Sequence, residues 1–162
     1  FDLFKKLIMN EKEIIKFKNE KLEAEYKGKS KELAASTMSI IKKNELLTKI
    51  KDELTRIADK KAVEPVITII DKSLNRNDDW ELFQTAFNNA DNRFLKKVKE
   101  IHPSLSPSDL KLCAYLRLNL SSKEIARLLN ISPRSVEIKR YRLRKKLKLE
   151  HEENLVNYII KL

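Results

Sequence analysis

The chain has 162 residues, enough for one domain or two small ones, and carries a formal charge of +11 with 36% of its residues charged. Its single cysteine, Cys113, excludes an internal disulfide and a multi-cysteine metal site, and fits a reduced, intracellular setting. The longest strongly apolar run, 66–70, is far too short to span a bilayer, and no signal-peptide pattern opens the chain. The first residue is Phe1 rather than Met, which reads as a piece of something longer. One glycine and four prolines favour an almost all-helical protein. The charge is concentrated. Residues 103–149 hold twelve Lys/Arg against three Asp/Glu, whereas residues 1–102 hold 22 against 18. A concentrated basic block points to a polyanionic partner.

Residues 1–60 are rich in Lys and Glu and carry an apolar seam. Ile8, Ile15 and Leu22 recur every seven residues, as do Ile40, Leu47 and Leu54, with Ile50 and Ile57 in the alternate layer. This is coiled-coil spacing. The phase changes across Gly28-Lys29-Ser30, which predicts two helices or one with a break near Gly28, where glycine costs about 1 kcal/mol relative to alanine. So long a seam needs a partner, so the region is expected to pair chains through Ile40, Leu47, Ile50, Leu54 and Ile57. The plainer alternative is one amphipathic helix packed inside a single subunit.

Residues 61–77 predict a short helix with Val63, Val66, Ile67, Ile70 and Leu74 on one side and Pro65 in its first turn. A polar turn at 75–79 follows, with Asp78 or Asp79 capping a helix that carries Trp80, Phe83, Phe87, Phe94 and Val98. Large residues at that spacing read as core. His102-Pro103-Ser104-Leu105 breaks the pattern. The expected parts are therefore 1–60 (coiled coil), 61–103 (helical linker) and 104–162.

The last part opens with Ser106-Pro107-Ser108-Asp109, a capping arrangement ahead of a helix bearing Leu110, Cys113, Ala114, Leu116 and Leu118. Ser121 and Glu124 stand in capping-box spacing for the next helix. Asn130 is placed to end it; Ser132 and Pro133 are placed to start another. Two helices joined by three or four residues, the second loaded with Arg and Lys, form a helix-turn-helix pattern. Residues 150–162 supply a final helix with Leu155, Val156, Tyr158, Ile159 and Leu162.

At about 100° per residue, Arg140, Leu143 and Leu147 fall close to Val136 and form the packing face of the second helix. Arg134, Ile138, Tyr141, Arg142 and Lys145 lie opposite. Such a helix fits the major groove, where side chains distinguish all four base pairs. Glu137, Ile138, Tyr141 and Arg134 are the expected base readers: Ile138 suits a thymine methyl and Glu137 a cytosine amine. Ser122, Lys123, Ser135, Lys139, Arg142 and Lys145 are the expected phosphate contacts, which set register without reading sequence. A solvated basic helix with no partner is the bland alternative. The capped first helix, short turn, clean core face and cationic opposite face together favour DNA.

The stretch LSPSDLKLCAYLRLNLSSKEIARLLNISPRSVEIKRYRLRKKL resembles the LuxR-type helix-turn-helix of bacterial transcription regulators. The matching residues are Leu105-Ser106-Pro107, the run at 122–126, Leu129, Ile131-Ser132, Ser135-Val136-Glu137 and Arg140. The resemblance implies base-reading positions at Glu137, Ile138 and Tyr141, and a last helix able to serve dimerisation on DNA. Asn119 stands where many members have glycine, Ser108-Asp109 replaces a basic-acidic pair, and Lys139 takes a position that is often histidine. The upstream residues are also similar to the cytoplasmic end of Bacteroidetes membrane-anchored triple-tyrosine (Y_Y_Y) sensor regulators. The heptad seam points to a homodimer, and that similarity implies a cytoplasmic place tethered to the inner membrane, receiving a signal from upstream periplasmic domains.

Enzymatic readings find little support. A histidine-kinase phosphoacceptor needs a His on an exposed helical face, yet His102 sits at a proline break and His151 near the start of the last helix. No glycine-rich nucleotide loop or nucleophile–base pair is identifiable, so no catalytic residue, metal ligand or cofactor is assigned. Two other readings stand as alternatives: a sigma-factor-like promoter reader, which lacks its aromatic melting region here, and a coiled-coil interaction module. The expected architecture is all-α, with an N-terminal coiled-coil dimerisation region ahead of a four-helix LuxR-type domain that binds double-stranded DNA.

Overall fold

The computed structural model describes residues 1–57, 59–75 and 78–162, without the side chains of residues 26, 27, 30 and 31. Among the described residues there are eight helices and no strand. The all-α expectation holds.

Helix α1 (Asp2–Thr55) runs unbroken for 54 residues, through the expected break at Gly28. Open space surrounds Gly28, so nothing there forces the backbone to turn. The apparent change of phase also disappears. A straight α-helix advances 3.6 residues per turn rather than 3.5, so the step from Leu22 to Ile40 is a whole number of turns. Ile8, Ile15, Leu22, Leu33, Ile40 and Leu47 thus lie along one side. The two ends of that side fare differently. Leu33, Ile40 and Ile41 are buried against the chain's own later helices, whereas Phe4, Ile15 and Leu22 stand exposed.

Helix α2 (Lys60–Leu74) folds back on α1, capped by the Asp59 side chain, which accepts from the Ala62 amide at 3.2 Å. Pro65 lies beyond the expected first turn, as the sixth helical residue, where it removes one backbone donor on an exposed side. Val63, Ile70 and Leu74 face inward. Lys51 reaches Asp71 at 2.6 Å across the hairpin. The expected turn at 75–79 lies partly outside the described residues.

The expected Trp80–Val98 helix is divided into α3 (Asp78–Ala90) and α4 (Phe94–Ile101). At the break Asp91 accepts from the Arg117 guanidinium at 3.1 Å, a pairing 26 residues apart that helical periodicity does not report. The aromatic residues remain core, as expected. Phe83 stacks near Trp80 at 5.4 Å between ring centroids and meets Tyr115 edge-on at 4.8 Å; Phe87 meets Phe94 at 5.8 Å. Burial pushes the Tyr115 hydroxyl well above its ordinary range.

Helices α5 (Pro107–Arg117), α6 (Ser122–Leu129), α7 (Pro133–Lys146) and α8 (Leu155–Lys161) complete the chain. Their buried residues join those of α3 and α4 in one cluster that also takes in Leu33 of α1. Arg117 fastens α8 to this body by donating to the backbone carbonyls of Ile159 (3.2 Å) and Ile160 while its guanidinium lies over Phe94. Asn119, the residue at the glycine position of the resemblance, has φ 56°, in the left-handed region that asparagine tolerates best after glycine.

Candidate nucleic-acid interface

Local chemistry builds the reading head. Ser121 caps α6: its hydroxyl accepts from the Glu124 amide at 3.3 Å, and the Glu124 carboxylate accepts from the Ser121 amide at 2.8 Å. This is the expected reciprocal box, which satisfies two otherwise orphaned donors. Asn130 ends α6 at φ 51°, and the Ile131 amide returns to the Ala126 carbonyl at 3.0 Å. Ser132 then caps α7 by accepting from the Ser135 amide at 3.1 Å, with Pro133 as the first helical residue.

The two faces of α7 separate as the helical wheel predicts. Val136 and Leu143 are fully covered and Leu147 is buried. Ile138 and Tyr141 are 44% and 57% exposed on the opposite side, with Arg134, Glu137, Arg142 and Lys145 also exposed. The Lys145 ammonium sits 4.7 Å from the centre of the Tyr141 ring, which places a cation at the tip of the reading face.

Several of the expected contact residues are engaged within the domain. Ser122 donates to the Glu137 carboxylate and accepts from Arg140 at 3.1 Å. Its hydroxyl thus links α6 to α7 and orients Glu137. Lys123, at the same end of α6, is exposed. Ser135 also shares a hydroxyl contact with Ser132 at 2.9 Å. Lys139 reaches the Ser108 hydroxyl at 3.4 Å, and it lines a cleft of about 220 Å³ between α5 and α7 together with Arg142, Lys146 and Asp109.

Sequence reasoning missed the pair that closes this cleft, Lys146 and Asp109, at 2.6 Å. Burial alone would raise the Asp109 carboxyl, but hydrogen bonds from Lys146 and Ser106, with the Lys146 charge, outweigh it and hold the carboxyl below the usual range. It also missed Arg144, whose guanidinium donates to the Glu150 carbonyl at 2.7 Å and to Glu153, pinning the loop before α8. An isolated Arg or Lys in a basic run carries no local sign of such a partner.

The expected pairing seam of α1 divides in the same way. Ile40 is buried within the chain, Leu47 and Leu54 are half-buried, and Ile50 and Ile57 remain exposed. Next to them α1 docks on α6. Asn44, only 2% exposed, donates to the Arg127 carbonyl at 2.8 Å, and Glu45 stands 3.5 Å from the Arg127 guanidinium.

Capped helix, left-handed turn, second capped helix and exposed cationic face together define a helix-turn-helix DNA-binding domain. Residues 103–159 match the GerE family model, bacterial regulatory proteins of the luxR family, and this match supports DNA-binding transcription regulation in general. No curated protein and no solved structure matches the chain. Among the described residues, no helix is long and apolar enough to cross a membrane.

Proposed function

We propose that the chain is a sequence-specific transcription regulator that binds double-stranded DNA as a homodimer, with α7 in the major groove. Ile138, Tyr141, Arg134 and Glu137 meet base edges; Ser122, Lys123, Ser135, Lys139, Arg142 and Lys145 hold phosphates. The observation that carries this reading is α7 itself, fully buried along Val136 and Leu143 and exposed along Ile138 and Tyr141 with cations on both flanks. Exposed Ile50 on α1 and Ile57 just beyond its end support self-association through this region. The docking of Asn44 on α6 supports α1 as the route by which a signal reaches the domain. The similarity of the upstream residues to triple-tyrosine sensor regulators supports a place as the cytoplasmic output part of a membrane-anchored sensor.

The test is DNA binding by fluorescence anisotropy across a salt series, after selection of preferred sites from a random pool. If about six phosphates are neutralised, log affinity falls with log salt with a slope near −5. Arg142→Ala weakens all sequences alike, whereas Ile138→Ala or Tyr141→Ala changes which sequence is preferred, by about 1–3 kcal/mol per lost base contact. Absence of binding at low salt, or retention indifferent to salt, sinks the reading.

A further inference from the structure

The N-terminal half of α1 carries two apolar strips, and they end in different places. The inner strip, Phe4, Ile8, Ile15 and Leu22, continues at heptad spacing to Ser36, which with Leu33, Leu82 and Ala86 lines the cleft between α1 and α3. A second helix following that strip would run into α3. Its alternate layer is also charged, with Glu11, Lys18 and Glu25.

The outer strip lies roughly 100° round the helix and steps by four, three, four and three through Leu3, Leu7, Asn10, Ile14 and Phe17. Leu3, Leu7, Ile14 and Phe17 are 79%, 59%, 55% and 69% exposed. A heptad strip drifts about 20° per repeat on an α-helix, and this one drifts away from α3 to Ala35 and Met38, both exposed. The described residues of the outer strip are open to a partner helix.

We propose that this outer strip pairs with the same strip of a second copy as a parallel, in-register coiled coil. The inference rests on the homodimer reading above and adds the face and the orientation. Charge selects the orientation. In parallel register, flanking residues five apart face each other across the seam, so Lys6 meets Glu11 of the second copy and Glu13 meets Lys18, each twice by symmetry. Glu20 against Glu25 is the like-charged exception. Antiparallel pairing on this seam instead sets Glu13 against Glu20, which offsets its one attractive pair, Glu11 with Lys18, or sets Glu13 and Glu11 each against its own copy, which offsets Lys6 with Glu20. It would also hold the two Asn44 docking points about 85 Å apart at 1.5 Å per residue. Half-sites one helical turn apart lie roughly 34 Å from each other.

The test is oxidative cross-linking of variants of the full chain with an added cysteine, beside sedimentation of the wild type at micromolar concentration. The wild type is the control, because Cys113 is fully covered and burial pushes its thiol up to about 12. Leu7→Cys is expected to form a covalent dimer and Ile15→Cys none above the wild-type background. Cross-linking of Ile15→Cys alone moves the seam to the inner strip and overturns the proposal. A dimer in which only the Leu7→Cys, Ala24→Cys double variant cross-links makes the pairing antiparallel and also overturns it. A dimer that cross-links in none of these variants refutes the proposal while leaving the homodimer reading intact. A monomer in sedimentation removes both.

Discussion

Ile125, Val136 and Leu143 of the reading head are fully covered, whereas Leu3, Phe4 and Ile15 at the other end of the molecule stand 79%, 70% and 58% exposed. Both regions are helical and both carry apolar residues at helical spacing. The difference is supply of partners. Helices α6 and α7, at 8 and 14 residues, are too short to persist alone and exist because they cover each other, with α1 packed on α6 and α5 on α7. Among the described residues, the first half of α1 receives no helix from its own chain, so its seams stay open at one end while the other end is locked into the domain. An apolar face in a sequence therefore promises a cover without naming it.

The comparison breaks most sharply on core truncation. Leu143→Ala is expected to cost about 2–5 kcal/mol in chemical denaturation, since a fully buried leucine leaves a cavity. Ile15→Ala should change the stability of the domain by less than about 0.5 kcal/mol, as an exposed residue outside the core does. Equal losses would mean that the two regions form one cooperative unit.

Asn44 sits where the regions join. Asn44→Ala leaves the Arg127 carbonyl without its donor, with an expected cost of about 1–3 kcal/mol and faster amide exchange at the end of α6. Unchanged exchange there would show that the joint transmits nothing. Within the turn, Asn130→Ala should cost roughly 1 kcal/mol, because alanine lacks the short polar side chain that lets asparagine tolerate φ 51°, whereas Asn130→Gly removes the β-carbon and should cost much less. Thermal melts of the pair decide whether conformation or the amide side chain matters.

The smallest expected effect is acid-linked. The Asp109 carboxyl is held low in the folded protein, so its contribution is present above the ordinary carboxylate pKa of roughly 4 and is lost as pH falls through the lower folded value. Wild-type melting temperature should therefore fall more steeply below about pH 4 than that of Asp109→Asn. Parallel curves would show that the Lys146 contact is solvent-screened and contributes little.

The legible parts of the molecule were those governed by neighbours in sequence. Ser106, Ser121 and Ser132 cap where expected because capping joins residues three apart. The split of α7 into a core face and a cationic face was legible for the same reason. The break at 91–93, Pro65 deep in α2 and the unbroken course through Gly28 were not. The first sits where a tertiary contact, Asp91 with Arg117, competes with local preference, and Pro65 is tolerated because the donor it removes lies on an exposed side. The third turned on the small difference between a heptad and two helical turns.

By itself, then, the sequence determined the all-helical class, the caps of α5, α6 and α7 and the face that α7 turns toward solvent, since each depends on hydrogen bonds and periodicity within a turn or two. Only the tertiary structure decided which seams the chain closes for itself. It covered Ile40 with the chain's own helices, set Asn44 against Arg127 across 83 residues and joined Lys146 to Asp109 across 37. Contacts between residues so far apart are chosen by how whole helices pack, and no local pattern encodes that choice.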